Sequence, residues 1–169
     1  MEGGALKASS FVLSPEGRLK FLAGALGVDT FSGDLVQQGG AFGVEGAAGH
    51  VLVSGRYHLT GGALAAEIAG APGGDSHDTF QVGRDLILDN DAEFRVSLLD
   101  GFTPVAGDIY EIISAGTGIT GRFGRVSLPE VPGLGFQVLY GQTSVSLSVV
   151  GLDGDLNGDG FVGLDDLNL

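Results

Sequence analysis

Cysteine is absent from the 169 residues, and so is tryptophan. Without cysteine there is no disulfide framework, no thiolate zinc site and no cysteine nucleophile, so stability must come from packing, hydrogen bonds or a bound metal. Basic residues are scarce: 8 Lys and Arg stand against 21 Asp and Glu, a net charge of −13. Phosphate backbones and anionic headgroups are held by clustered Lys and Arg, so this balance argues against nucleic acid and against an anionic membrane surface. Only 5 prolines accompany the 32 glycines, and glycine does not recur at every third position, which excludes collagen. No apolar run approaches the roughly 20 residues of a membrane span. Met1-Glu2-Gly3-Gly4 does not read as a basic segment leading into an apolar one, but a start inside a longer protein leaves localisation open.

Hydrophobic residues make up 43% of the chain, well above the composition of disordered segments. The length suits one domain, or one domain plus an appendage. An internal repeat organises the first third. GALKASSF at 4–11 returns as GALGVDTF at 24–31, and the Gly-Ala-apolar unit comes again as GGAF at 39–42 and GGAL at 61–64. Spacings of 20, 16 and 22 residues fall near those of stacked repeats, whose unit is too small to bury its own apolar face.

Strand-like runs lie between these units at 18–22, 51–53 and 57–60. GGALAAEIAGA at 61–71 has a helical reading through its alanines, set against its bracketing glycines and its match to the repeat. After the loop Ala71-Pro72-Gly73-Gly74-Asp75, strands are expected at 79–82, 85–88, 93–98, 108–114, 135–140 and 144–150. No long amphipathic helix precedes residue 163. The expected fold is all-β: a single-stranded right-handed parallel β-helix of about 20 residues per coil with a C-terminal β cap over 1–150. A β-sandwich is the alternative, because alternating strands at short spacing fit it too.

The segments GALGVDTFSGDLVQQGGAF, HVLVSGRYHLTGGALAAEIAG and HDTFQVGRDLILDNDAEFRVSLLDGFTPVAGDIYEIISA resemble the C-terminal part of large secreted or surface β-helical proteins with autotransporter-associated β-strand repeats. That resemblance implies a scaffold and no activity.

Residues 151–169 form a second unit, in which DLNGDGFVGLDD matches the twelve-position calcium loop. Asp155 takes position 1, Asn157 position 3, Asp159 position 5, Phe161 position 7 through its carbonyl, and Asp166 position 12, with Gly160 at the sharp turn. Three short oxygen-bearing side chains at alternate positions suit Ca2+. Asp166 stands where the general pattern has a bidentate Glu. An Asx-rich turn without metal is the plainer reading. An Asp at position 12 is usual in dockerins, and the segment resembles the first half of one. The resemblance implies secretion, an extracellular or cell-surface location and docking to a cohesin-type or surface scaffold protein, although Leu164-Asp165 depart from the Ser-Thr common at loop positions 10 and 11. A second loop does not follow, so the chain reads as a piece of a longer protein.

Ser76-His77-Asp78 holds three triad residue types, but neighbours in sequence do not face one another, and a solvated loop is expected. His50 and His58 stand alone and are read as structural. Parallel β-helices also host polysaccharide-degrading enzymes, yet the carboxylates recur in no stack, so a non-catalytic structural module is favoured. The rival is a carbohydrate-interacting module, which would want exposed aromatics where only Tyr57, Tyr110 and Tyr140 are on offer among tyrosines. Self-association through an exposed strand edge near the N-terminus is a further expectation.

Overall fold

The recurrence of Gly-Ala-Leu and Phe is a strand register. In the computed structural model, which describes residues 4–13, 18–43 and 46–152, Ala5–Val12 (β1) lies parallel to Ala25–Ser32 (β3), with Ala5 beside Ala25, Leu6 beside Leu26 and Phe11 beside Phe31. Between them comes Arg18–Phe21 (β2), and after them Asp34–Gln37 (β4), Ala41–Phe42 (β5), His50–Val53 (β6), Tyr57–Leu59 (β7) and Gly62–Ile68 (β8). Ala41 pairs back to Ala25 and forward to Ala63, so the sequence spacings of 20, 16 and 22 are the ladder offsets themselves. The helical reading of 61–71 gives way to β8, because its small residues alternate between a core side and an open side.

The remaining strands are Thr79–Val82 (β9), Asp85–Leu88 (β10), Ala92–Leu98 (β11), Ile109–Ala115 (β12), Gly118–Gly121 (β13), Arg125–Ser127 (β14), Leu134–Tyr140 (β15) and Ser144–Gly151 (β16). Alternation of apolar and polar residues locates all of these but β13 and β14, which are short and follow or contain glycine, β13 being half exposed and β14 exposed throughout.

The all-β class stands, but the expected single-stranded β-helix does not. Among the described residues the strands divide between an eleven-stranded sheet, ordered β14-β11-β8-β5-β3-β6-β9-β12-β16-β15 with β1 also on β3, and a five-stranded sheet, ordered β13-β10-β7-β4-β2. The larger sheet is mixed, since β16 runs antiparallel to both β12 and β15. It also branches at β3, which pairs with β1, β5 and β6. Nor is there a constant coil of about 20 residues: along β1-β3-β6-β9-β12 the partner offset grows from 20 to 22, 29 and 33. The physical reason is insertion. The segments at 69–78 and 99–108 lengthen the later connections, and the closing hairpin can only add antiparallel. The β-sandwich alternative fails in its strand pairing: two sheets do enclose the core, but outside the closing hairpin the strand pairings among the described residues are parallel rather than antiparallel.

The core lies between the two sheets. Leu26, Phe42, Leu64 and Phe94 form one in-register column of the larger sheet, and Leu35, Tyr57 and Leu86 one of the smaller. All seven are at most 2% exposed, each side chain contributing about 1.5–3 kcal/mol by leaving water. Phe31 stacks on Phe11 at 5.4 Å between ring centroids. At the other end Phe123 stacks on Phe94 at 5.0 Å, Phe123 N donates to the Tyr140 hydroxyl, and the Arg122 guanidinium sits 4.8 Å from the Tyr140 ring centre.

Candidate functional site

The residues assigned to calcium, Asp155, Asn157, Asp159, Phe161 and Asp166, lie outside the described residues. What the structure does place is the strand that leads to them. β16 is held on one side by β15 and on the other by β12, and the Leu152 amide donates to the Gly133 carbonyl at 3.1 Å. Leu152 is thereby anchored beside the turn that opens β15. Among the described residues, no group of three or more His, Asp or Glu is arranged to hold a metal ion.

The tripeptide Ser76-His77-Asp78 is not a solvated loop, which corrects the sequence expectation. His77 is 7% exposed and Asp78 fully buried. The three do not form a relay: the Asp78 carboxylate accepts from the Gly49 amide at 2.7 Å and from the Glu67 amide at 2.9 Å, while His77 Nε2 lies 3.3 Å from the Glu111 carbonyl. Ser76 Oγ lies 3.4 Å from His77 Nδ1, but its proton is directed to the Ala71 and Gly73 carbonyls, which closes the local turn. Asp78 is a strut: it ties the chain before β6 to β8, as Glu67 does by accepting from the Gly46 amide at 2.7 Å. Burial was invisible in sequence because the partners are backbone amides that carry no residue-type signal.

Burial raises the Asp78 carboxyl to about 6, against the lowering effect of its two backbone hydrogen bonds. A carboxyl raised on folding favours the protonated native state. Its contribution to stability is fully present below the ordinary value near 3.8 and is lost as pH rises through about 6. His77, lowered chiefly by burial, acts in the opposite sense below its ordinary value. Asp85, lowered by the Thr117 hydrogen bond and then by Arg56, acts oppositely too, but only below the ordinary carboxylate range. We therefore expect the stability difference between the native chain and Asp78→Asn to shift by about 2 kcal/mol in favour of the native chain between pH 7 and pH 4.5. Urea denaturation at the two values measures it, and a pH-independent difference counts against the strut being ionised at neutral pH.

The isolated histidines read as structural have acidic partners. His50 Nε2 lies 2.8 Å from Asp75, and His58 Nε2 lies 3.2 Å from both carboxylate oxygens of Asp89. Of the tyrosines weighed for sugar stacking, Tyr57 and Tyr110 are fully buried, so neither can meet a ring from solvent.

One feature of the smaller sheet escaped the sequence reading. Arg18 is in register with Asp34, and the same ladders carry Asp34 beside Arg56 and Arg56 beside Asp85. The result is an outward row of alternating charge. Asp34 accepts from the Arg56 amide at 2.8 Å, Arg56 grips Asp85 through Nε at 3.1 Å and Nη2 at 2.8 Å, and Thr117 donates to the other Asp85 oxygen. The signal was present, since these residues follow the offsets of the apolar ladders, but it is legible only once β2, β4, β7 and β10 are known to be neighbours.

Compared with known proteins, the chain matches no family model and no curated protein sequence.

Proposed function

We propose that the chain is a non-catalytic structural module of an extracellular or cell-surface protein, whose acidic tail is a calcium-binding, dockerin-type docking element for a cohesin-type or surface scaffold partner. The observation that carries this is the register of Asp155, Asn157, Asp159 and Gly160, three oxygen ligands at alternate positions followed by the glycine of the turn. The body supports a structural role through what its polar side chains do. Gln37, Asp78 and Asp108 are each spent on hydrogen bonds that tie strands and turns together. Asp108, for example, accepts from the Val105 amide at 3.0 Å and the Tyr110 hydroxyl at 3.1 Å. A net charge of −13 favours divalent cations as ligands.

Calcium titrated calorimetrically into metal-free chain is expected to give saturable binding with a stoichiometry near one, in the weak range set by Asp166 in place of Glu. Asp155→Ala should abolish the heat. An absent signal in the native chain, or binding that survives Asp155→Ala, removes the calcium reading and with it the docking role.

A further inference from the structure

The outer face of the five-stranded sheet carries a groove of about 80 Å³ whose lining includes Arg18, Asp34, Val36, Arg56, His58 and Ile87. Charge is concentrated here. Arg18, Lys20 and Arg56, with Arg84 just before β10, are four of the 8 Lys and Arg in a chain of net charge −13. Arg56 is committed to Asp85 and His58 faces Asp89. The Arg18 side chain, by contrast, makes no hydrogen bond or ion pair with any other described residue, and its guanidinium fork matches a carboxylate. Beside it, Asp34 uses one oxygen on the Arg56 amide, which leaves the other to accept a hydroxyl. Val36, His58 and Ile87 sit abreast on adjacent strands and form a row of two aliphatic side chains flanking an imidazole.

We propose that this groove binds the uronic acid units of an acidic polysaccharide, with Arg18 taking the ring carboxylate, Asp34 a ring hydroxyl, and the Val36–His58–Ile87 row lying against the C–H face of the sugar. The juxtaposition selects a sugar over an acidic peptide. A glutamate side chain would satisfy Arg18 but bring like charge to Asp34 and offer it no donor, whereas a uronic acid carries the carboxylate and the hydroxyls on one ring. The row of side chains also presents an apolar strip, which a pyranose face matches and a bare carboxylate does not. The groove and the calcium loop share no residue, so either can fail without the other.

The test is titration of the full chain with a glucuronic acid trisaccharide, its methyl ester and triglutamate, followed calorimetrically. The trisaccharide is expected to bind. The neutral ester and the triglutamate should each bind at least about tenfold more weakly, and Arg18→Gln should weaken the trisaccharide by a similar factor. Arg125→Gln, on β14 in the other sheet, should leave binding unchanged, and melting curves of both variants show that they are folded. No binding of the trisaccharide overturns the proposal, as does equal affinity for the ester or for triglutamate, or an Arg18→Gln chain that binds as the native one does.

Discussion

Gln37→Ala is expected to lower stability by about 3–5 kcal/mol, read as a fall in the urea midpoint at unchanged slope. Gln37 is fully buried on β4, facing the core between the sheets. Its amide donates to the Gly40 carbonyl at 3.1 Å and the Ala63 carbonyl at 3.0 Å, and its oxygen accepts from the Tyr57 hydroxyl at 2.5 Å. One side chain thus joins the five-stranded sheet to β8 of the larger one. Burial pushes the Tyr57 hydroxyl well above its ordinary pKa, so it remains a neutral donor. Truncation at 37 opens a cavity, strands the buried Tyr57 hydroxyl and takes a donor from the Ala63 and Gly40 carbonyls, the second of which keeps the Ala63 amide. Tyr57→Phe strands only the Gln37 oxygen and should cost about 1–3 kcal/mol. The pair Gln37→Leu and Tyr57→Phe, which removes both ends of that bond, should cost clearly less than the two single changes added together. Strict additivity would show that the bond contributes nothing specific.

Gly62→Val should prevent cooperative folding at 25 °C or cost more than about 4 kcal/mol. Gly62 opens β8 with φ of +87°, where a β-branched residue is strained. A side chain there also has nowhere to go: its Cβ would stand 2.5 Å from the Gly40 carbonyl oxygen and 2.6 Å from the Gly39 carbonyl carbon, both backbone atoms that cannot swing aside. Gly73→Val separates the two effects. Gly73 has φ of +116° but nothing within 4 Å of the added carbon, so it carries strain alone, of order 1–2 kcal/mol. Circular dichroism melting curves for both variants decide it, and equal losses would mean that the close approach of the backbones at Gly62 is not what matters.

These two sites show what kind of information each level holds. The Gly-Gly-Ala unit was visible in sequence as a recurring pattern, and its spacing turned out to be the strand register, because identical small residues stack where parallel strands pass at one separation. The core alternation of Thr79–Val82 and Asp85–Leu88 was equally legible, since burial of one face acts on every second residue. Gln37 offered no such signal. It lies in a polar doublet, Gln37-Gln38, of which one member is buried and the other turned away, and only the packing of β8 across the core tells them apart. Asp78 was misread for the same reason.

The proposed calcium loop is the opposite case. Its twelve positions are contiguous in sequence, so the proposal rests on local spacing alone and on no tertiary partner.

By itself, then, the sequence determined the all-β class, the repeat offsets and most strands from β9 onward, because each depends on neighbours a few residues apart or on like residues recurring in register. Only the tertiary structure decided that the strands divide between a branched mixed sheet and a parallel one, that Gln37 and Asp78 are buried, and that Arg18, Asp34, Arg56 and Asp85 share a row. Those outcomes hinge on which distant strands pair after the long segments at 69–78 and 99–108, and a connection's length does not encode the partner it delivers.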